Sequence, residues 1–201
     1  MMGRMARTGS GARGALASLA LLGCLAVTAC TTDRPAEPSP STSEPAALRV
    51  RTVRVAGDLD PAAQAAAESA VGDVLSSYVV RAFLGDYPRE DFVNAFGSFT
   101  GNLAEHAAGD IDQLTANHLA DAESVTAKKL DANLSFLAQG SDIIGASASV
   151  RFVFEATVDG EEQPLGLRGR LMLVEEDGTW SIFGYDVRTD TGDAVQAGVT
   201  S

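Results

Sequence analysis

The chain is expected to fold as an α+β domain, with N-terminal helices packed on one side of a curved, four-stranded antiparallel sheet. Three observations lead there. Residues from Asp60 to about Gly85 repeat their apolar positions with a helical period. From about Ser124 the period changes to two, the mark of half-buried strands. Asp177-Gly178 then sits between two alternating segments, a strong local signal for a hairpin.

Taken in chain order, LRVRTVRV (48–55) is rich in β-branched residues and predicts a short strand. Its Arg49, Arg51 and Arg54 read as solvent-facing edge charges. Asp60-Pro61 supplies an N-cap acceptor and a proline at the first helical position. Val71, Val74, Leu75, Tyr78, Val79 and Ala82 form one stripe, and Gly85 is the stop. Pro88 to Phe96 predicts a shorter helix bearing Phe92, Val93 and Phe96, with further turns at 101–108 and 110–120 interrupted by Gly109.

The strands have readable faces. In IIGASASVRFVFEATV (143–158) every even position is apolar, from Ile144 through Ala146, Ala148, Val150, Phe152, Phe154 and Ala156 to Val158. The preceding segment places Leu130, Ala132, Leu134 and Phe136 on one face and Lys129, Asp131, Asn133 and Ser135 on the other. A two-residue turn at Asp177-Gly178 sets a register of Leu173 with Ile182, Leu171 with Gly184, Met172 with Phe183 and Arg170 with Tyr185. Leu165, Leu167, Leu171 and Leu173 then share the helix-facing side with Trp180 and Ile182. A strand, then helices, then an antiparallel meander gives the α+β layering.

The order of elements, the long capped helix and the closing RLMLVEEDGTWSIFGYDV hairpin resemble the nuclear transport factor two-like superfamily over about residues 60–190. Cystatin-like folds have a similar shape. The superfamily includes ketosteroid isomerases, whose pocket lies between helices and sheet and receives a carboxylate or histidine. It also implies pairing through the sheets, hence a homodimer.

The first thirty residues have another purpose. Arg4, Arg7 and Arg13 precede an apolar run from about Gly14 to Val27, and small residues follow, as in a secretory signal. The run is shorter than the roughly 20 residues a membrane-spanning helix needs. Val27-Thr28-Ala29-Cys30 resembles the lipobox of bacterial lipoprotein precursors. Leu21-Leu22-Gly23-Cys24 is a rival, weakened by the bulky Leu22. The resemblance implies cleavage before Cys30 and a diacylglycerol on its thiol; stable residence requires more than one acyl chain. The folded part then contains no cysteine. Residues 30–47, with Pro35, Pro38, Pro40 and Pro45 among Ser, Thr and Glu, read as a disordered tether. The expected organisation is therefore a signal (1–29), the lipidated cysteine and tether (30–47), one domain (48–191) and a flexible tail (192–201).

Composition narrows the partners. The chain carries 15 Lys and Arg against 27 Asp and Glu, a net charge of −12, and loss of the signal removes three of the positive charges. That balance opposes nucleic-acid binding.

Chemistry is sparse in the sequence. Asp186, placed opposite Gly169 by the hairpin register, is the one ionisable group on the inferred helix side and reads as a rim residue. His106 and His118 fit no HExxH or similar metal pattern and read as surface histidines. GDIDQL lacks the rest of a calcium loop. No phosphate-cradling loop or G-x-S-x-G elbow occurs, so no catalytic residue, metal ligand or cofactor is assigned. Ala132, Ala146, Ala148, Gly169 and Gly184 keep the inner face small beside Trp180, leaving either an apolar cavity or a space filled by helix side chains. The outer face near the last hairpin is apolar for an exposed surface: Val153, Met172, Val174, Phe183, Tyr185 and Val187. Such a patch marks an interface or a covering segment, either the 48–55 strand or another protein. The reading is a lipid-anchored, extracytoplasmic, non-enzymatic protein of the cell membrane that binds an envelope protein or a small apolar ligand. The alternative is a ketosteroid-isomerase-like or dehydratase-like enzyme.

Overall fold

The computed structural model describes residues 45–140, 142–192 and 195. Cys24, Cys30, the expected leader and the expected tether up to residue 44 lie outside them. Ser43–Ser201 is one compact unit. Its elements are β1 (Leu48–Ala56), α1 (Pro61–Phe83), a 3-10 segment (Phe92–Ser98), α2 (Gly101–Ala107), α3 (Ile111–Leu114), β2 (Ser124–Gln139), β3 (Asp142–Val158), β4 (Glu161–Glu176) and β5 (Thr179–Thr191).

The fold is α+β, but the sheet is five-stranded and mixed. Strand order follows sequence order from β1 to β5. β2 to β5 are mutually antiparallel, whereas β1 adds parallel to β2, with Leu48 opposite Leu130 and Ala56 opposite Leu137. The 48–55 segment therefore extends the sheet at its edge and does not cover the outer face.

α1 starts where its cap chemistry directs. Asp60 Oδ1 accepts the backbone N–H groups of Ala62 and Ala63 at 2.8 and 3.3 Å, and Pro61 follows. One side of the helix buries Val71, Leu75, Tyr78, Val79, Ala82 and Phe83 against the sheet layer. Phe83 stacks on Phe154 of β3 at 4.5 Å, and Tyr78 meets Phe99 edge-on at 5.6 Å. The Tyr78 hydroxyl, fully buried, donates to the Leu114 carbonyl at 2.5 Å, and burial pushes its pKa well above the ordinary tyrosine value.

The C-terminal end of α1 is closed by an arginine. Arg89 donates from its guanidinium to the carbonyls of Arg81, at 2.9 Å, and Leu84. It lies over the Phe92 ring at 4.7 Å and holds Asp91 at 2.7 Å. Its backbone N–H goes to Ala120 O at 3.0 Å instead of into a helical turn. Hence the expected helix from Pro88 is absent, and a 3-10 segment begins at Phe92. Three residues per turn bury Phe92 and Ala95 together and leave Val93 exposed.

Both edges of the sheet are occupied in part by other groups. On β1, the Thr52 N–H donates to Glu68 Oε2 at 3.0 Å. On β5, Thr100 N–H donates to Ile182 O at 2.8 Å, and Gln113 Nε2 donates to Val187 O at 2.6 Å.

The hairpin turn has positive φ at Asp177 (52°) and Gly178 (78°), as a type I′ turn requires. The same chemistry recurs at Asp159 (53°) and Gly160 (75°), which join β3 to β4. That second Asp-Gly pair also lies between alternating segments and obeys the same rule.

Two bulges overturn parts of the expected register. In β5 the pairing is Leu173 with Ile182 but Met172 with Gly184, so Phe183 is the extra residue and every later side chain changes face. Leu171 consequently faces Tyr185, Arg170 faces Asp186 and Gly169 faces Val187. Tyr185 and Val187 join the inner side, where Val187 is buried, while Gly184 and Asp186 turn outward. A second shift lies at Leu137/Ala138, and here Leu137 and Ile144 are half-exposed while Ala138 is buried. Ile144 is therefore not an inner-face residue. Val195, in the stretch expected to trail freely, is 6% exposed and would touch a Cβ at Gly166.

Candidate functional site

Because alternate residues of each strand oppose one another across the ladder, the outer face reads as cross-strand rows. One runs Arg49, Asp131, Arg151, Arg168, Arg188 from β1 to β5; the next runs Arg51, Asn133, Ser149, Arg170, Asp186. A third runs Arg54, Ser135, Ser147, Met172, Gly184. Seven arginines share these three rows with two aspartates, in a chain whose net charge is −12. Asp131 takes Arg49 at 3.1 Å, and Asp190 takes Arg168 Nη2 at 2.9 Å. Among the described residues, no carboxylate pairs with Arg51, Arg54, Arg151, Arg170 or Arg188.

A groove of about 910 Å³ opens on this face at the hairpin end. Its origin lies in the pairing. β3 reaches back to Asp142 and β4 runs on to Glu176, but their ladder ends at Ala146 and Leu173. Beyond that pair the β2–β3 and β4–β5 hairpins are no longer joined to each other. One wall carries Leu137, Ile144 and Gly145, the other Val174, Glu176 and Phe183, and Thr100 to Asn102 form a rim. Leu137, Ile144 and Phe183 are 52%, 49% and 49% exposed, a cluster of large apolar side chains open to solvent. Toward the sheet the lining turns polar, with Arg54, Arg170, Ser135, Ser147 and Ser149. At Gly184 a Cβ would lie 2.8 Å from Met172 Cε, the flexible end of a groove side chain that would shift to admit it.

The structure thus divides the sequence-nominated residues. Ala132 and Ala148 are fully buried in the core, and Trp180 packs edge-on to Phe136 at 6.3 Å. Ala146 lines the outer groove instead of an inner cavity. Of the outward patch, Met172, Val174 and Phe183 line the groove, while Tyr185 donates to Asp110 Oδ2 at 2.6 Å and its pKa rises to about 12, from burial first and from Asp110 second. The arginine rows and serines of the groove were missed. Their signal was present in the odd positions of β3 and the arginines of β1, but only the ladder shows that they converge.

Between helices and sheet, the buried polar side chains among the described residues are Ser98 and Thr115, besides the Tyr78 hydroxyl. Thr115 donates to Ile111 O at 2.7 Å. His106 Nδ1 lies 2.8 Å from Asn102 O, and His106 and His118 are both exposed. Among the described residues, no group of three or more metal-ligating side chains converges, and no helix is long and apolar enough to cross a membrane. Comparisons with protein-family models, curated proteins and solved structures returned no match.

Proposed function

We propose that this chain is a lipid-anchored, extracytoplasmic binding module of the cell membrane that acts without catalysis and holds a small apolar ligand in the groove between its splayed hairpins. The observation that carries the reading is the groove itself. It combines a volume within the range of small-molecule sites with three half-exposed apolar side chains that no described segment covers. The anchor is Cys30, and the leader and proline-rich tether of the sequence support it. The finer fold assignment, a nuclear transport factor two-like arrangement, is supported by the capped long helix ahead of a curved antiparallel meander.

The test is mass spectrometry of the full chain extracted from membranes, with Cys30→Ala and Phe183→Asp beside it. The expected results are an acyl mass lost in Cys30→Ala, and a co-purifying apolar molecule retained by the parent chain and lost in Phe183→Asp. An unmodified Cys30 would reject the anchor. A chain free of bound molecules that titrates no apolar probe would reject the groove. If the partner is instead an envelope protein, Phe183→Asp abolishes a pull-down while no small molecule is ever recovered.

A further inference from the structure

We infer that the ligand of this groove is an amphiphile with an anionic head, its carboxylate or phosphate held by Arg54 and Arg170 and its chain lying between the hairpins. The inference rests on the groove reading above and specifies its substrate class. Arg54 and Arg170 both line the groove, are exposed, and have no ion-pair or hydrogen-bond partner among the described residues. They stand on β1 and β4 in adjacent rows, three strand spacings across and two residues along the strand, or about 16 Å apart, a gap that two arginine side chains reaching inward can close around one anion. Ser147 and Ser149 on β3 lie between them and add hydroxyl donors. The chain end is equally specified, since Leu137 and Ile144 line the groove beyond the last β3–β4 pair and Phe183 bulges into it beside that pair.

The charge distribution argues for an anion in particular. An acidic protein that gathers seven arginines on one sheet face concentrates anions there and repels them elsewhere. Guanidinium forks bind carboxylate and phosphate through paired, charge-assisted hydrogen bonds, which a neutral head cannot return. The polar and apolar ends are contiguous in one groove, so the geometry matches a single-chain amphiphile rather than a free inorganic anion.

The experiment is titration calorimetry of the full chain carrying Cys30→Ala against dodecanoate, dodecyl phosphate, uncharged monododecanoylglycerol and inorganic phosphate, all below micellar concentration. Dodecanoate and dodecyl phosphate are expected to bind, phosphate alone is not, and the neutral amphiphile is expected to be weaker by tenfold or more. Arg54→Gln/Arg170→Gln should weaken the anionic amphiphiles by about a hundredfold, from the strength of charge-assisted bonds, and leave the neutral one unchanged. Arg188→Gln, on the same face but outside the groove, should change affinity less than twofold. Equal binding of neutral and anionic amphiphiles, unaltered by the double variant, overturns the inference and leaves the groove reading intact. No binding of any amphiphile sinks both. Capture by vesicles of anionic phospholipid without monomer binding also overturns it, because the face would then be docking on a membrane surface.

Discussion

The two faces of the sheet are made from alternate residues of the same strands, yet they obey different rules. On β3, Phe152 and Phe154 are buried under the helices, while their neighbours Arg151 and Val153 point outward. The inner face is constrained by volume: each side chain fits among α1, the 3-10 segment and its ladder partners, and a change of one or two methylenes is felt. The outer face is constrained by charge and by where pairing stops. Its arginines contribute little to stability, because exposed charges interact weakly across water. The same strands therefore supply a rigid platform on one side and a chemically free surface on the other.

The sharpest break of that contrast is a core deletion. Phe154→Ala removes a ring fully buried and stacked on Phe83, and should cost about 3–5 kcal/mol, read as a large fall in the denaturant midpoint. Arg170→Gln, on the adjacent strand β4 and the opposite face, should shift that midpoint by less than about 0.5 kcal/mol. If the two variants proved equally damaging, the distinction between the faces would be wrong.

Next in size is Arg89→Ala. Its guanidinium is mostly buried, and its loss leaves the Arg81 and Leu84 carbonyls without their donor and Phe92 without its cover, at a cost of about 2–3 kcal/mol. Arg89→Lys should recover only part of this, because a point charge cannot serve two carbonyls and a ring together. A smaller effect, about 1–2 kcal/mol, is expected for Tyr78→Phe, which keeps the ring contacts and leaves Leu114 O unpaired.

The smallest effect is pH-dependent. The hydrogen bond from Arg89 holds the exposed Asp91 carboxyl below its ordinary value of 3.8. A depressed folded-state pKa means stability that is present above the unfolded value and lost as pH falls through the folded one. The melting-temperature difference between the parent chain and Asp91→Asn should therefore be constant near neutrality and close toward zero below pH 3.8. A difference that persisted in acid would assign the role of Asp91 to its contact with Asn94 instead.

Much of this was readable in the residues. The Asp60 cap, the α1 stripe, the strand faces from Leu130 to Phe136 and the turn at Asp177-Gly178 all express local rules: a side-chain oxygen near free N–H groups, a period of 3.6 or of 2, a turn that needs positive φ. The errors share one cause. A bulge adds one residue, and a single added residue inverts the parity of everything beyond it. Tyr185, Val187, Gly184 and Asp186 were misplaced together by the one at Phe183, and Ile144 accompanies the shift at Leu137/Ala138. The Pro88 helix failed for a different reason, since the Arg89 N–H found a partner at Ala120, far along the chain.

The sequence by itself determined the class of fold, the positions of its long helix and strands, and which residues of most strands face inward, because hydrophobic period and turn chemistry act over a few residues. Only the tertiary structure decided that β1 joins the sheet in parallel, that arginines from four strands lie in rows, and that the ladder between β3 and β4 ends early enough to open a groove. Those are consequences of pairing between distant segments, whose register depends on every bulge along the way and leaves no periodic trace in the chain.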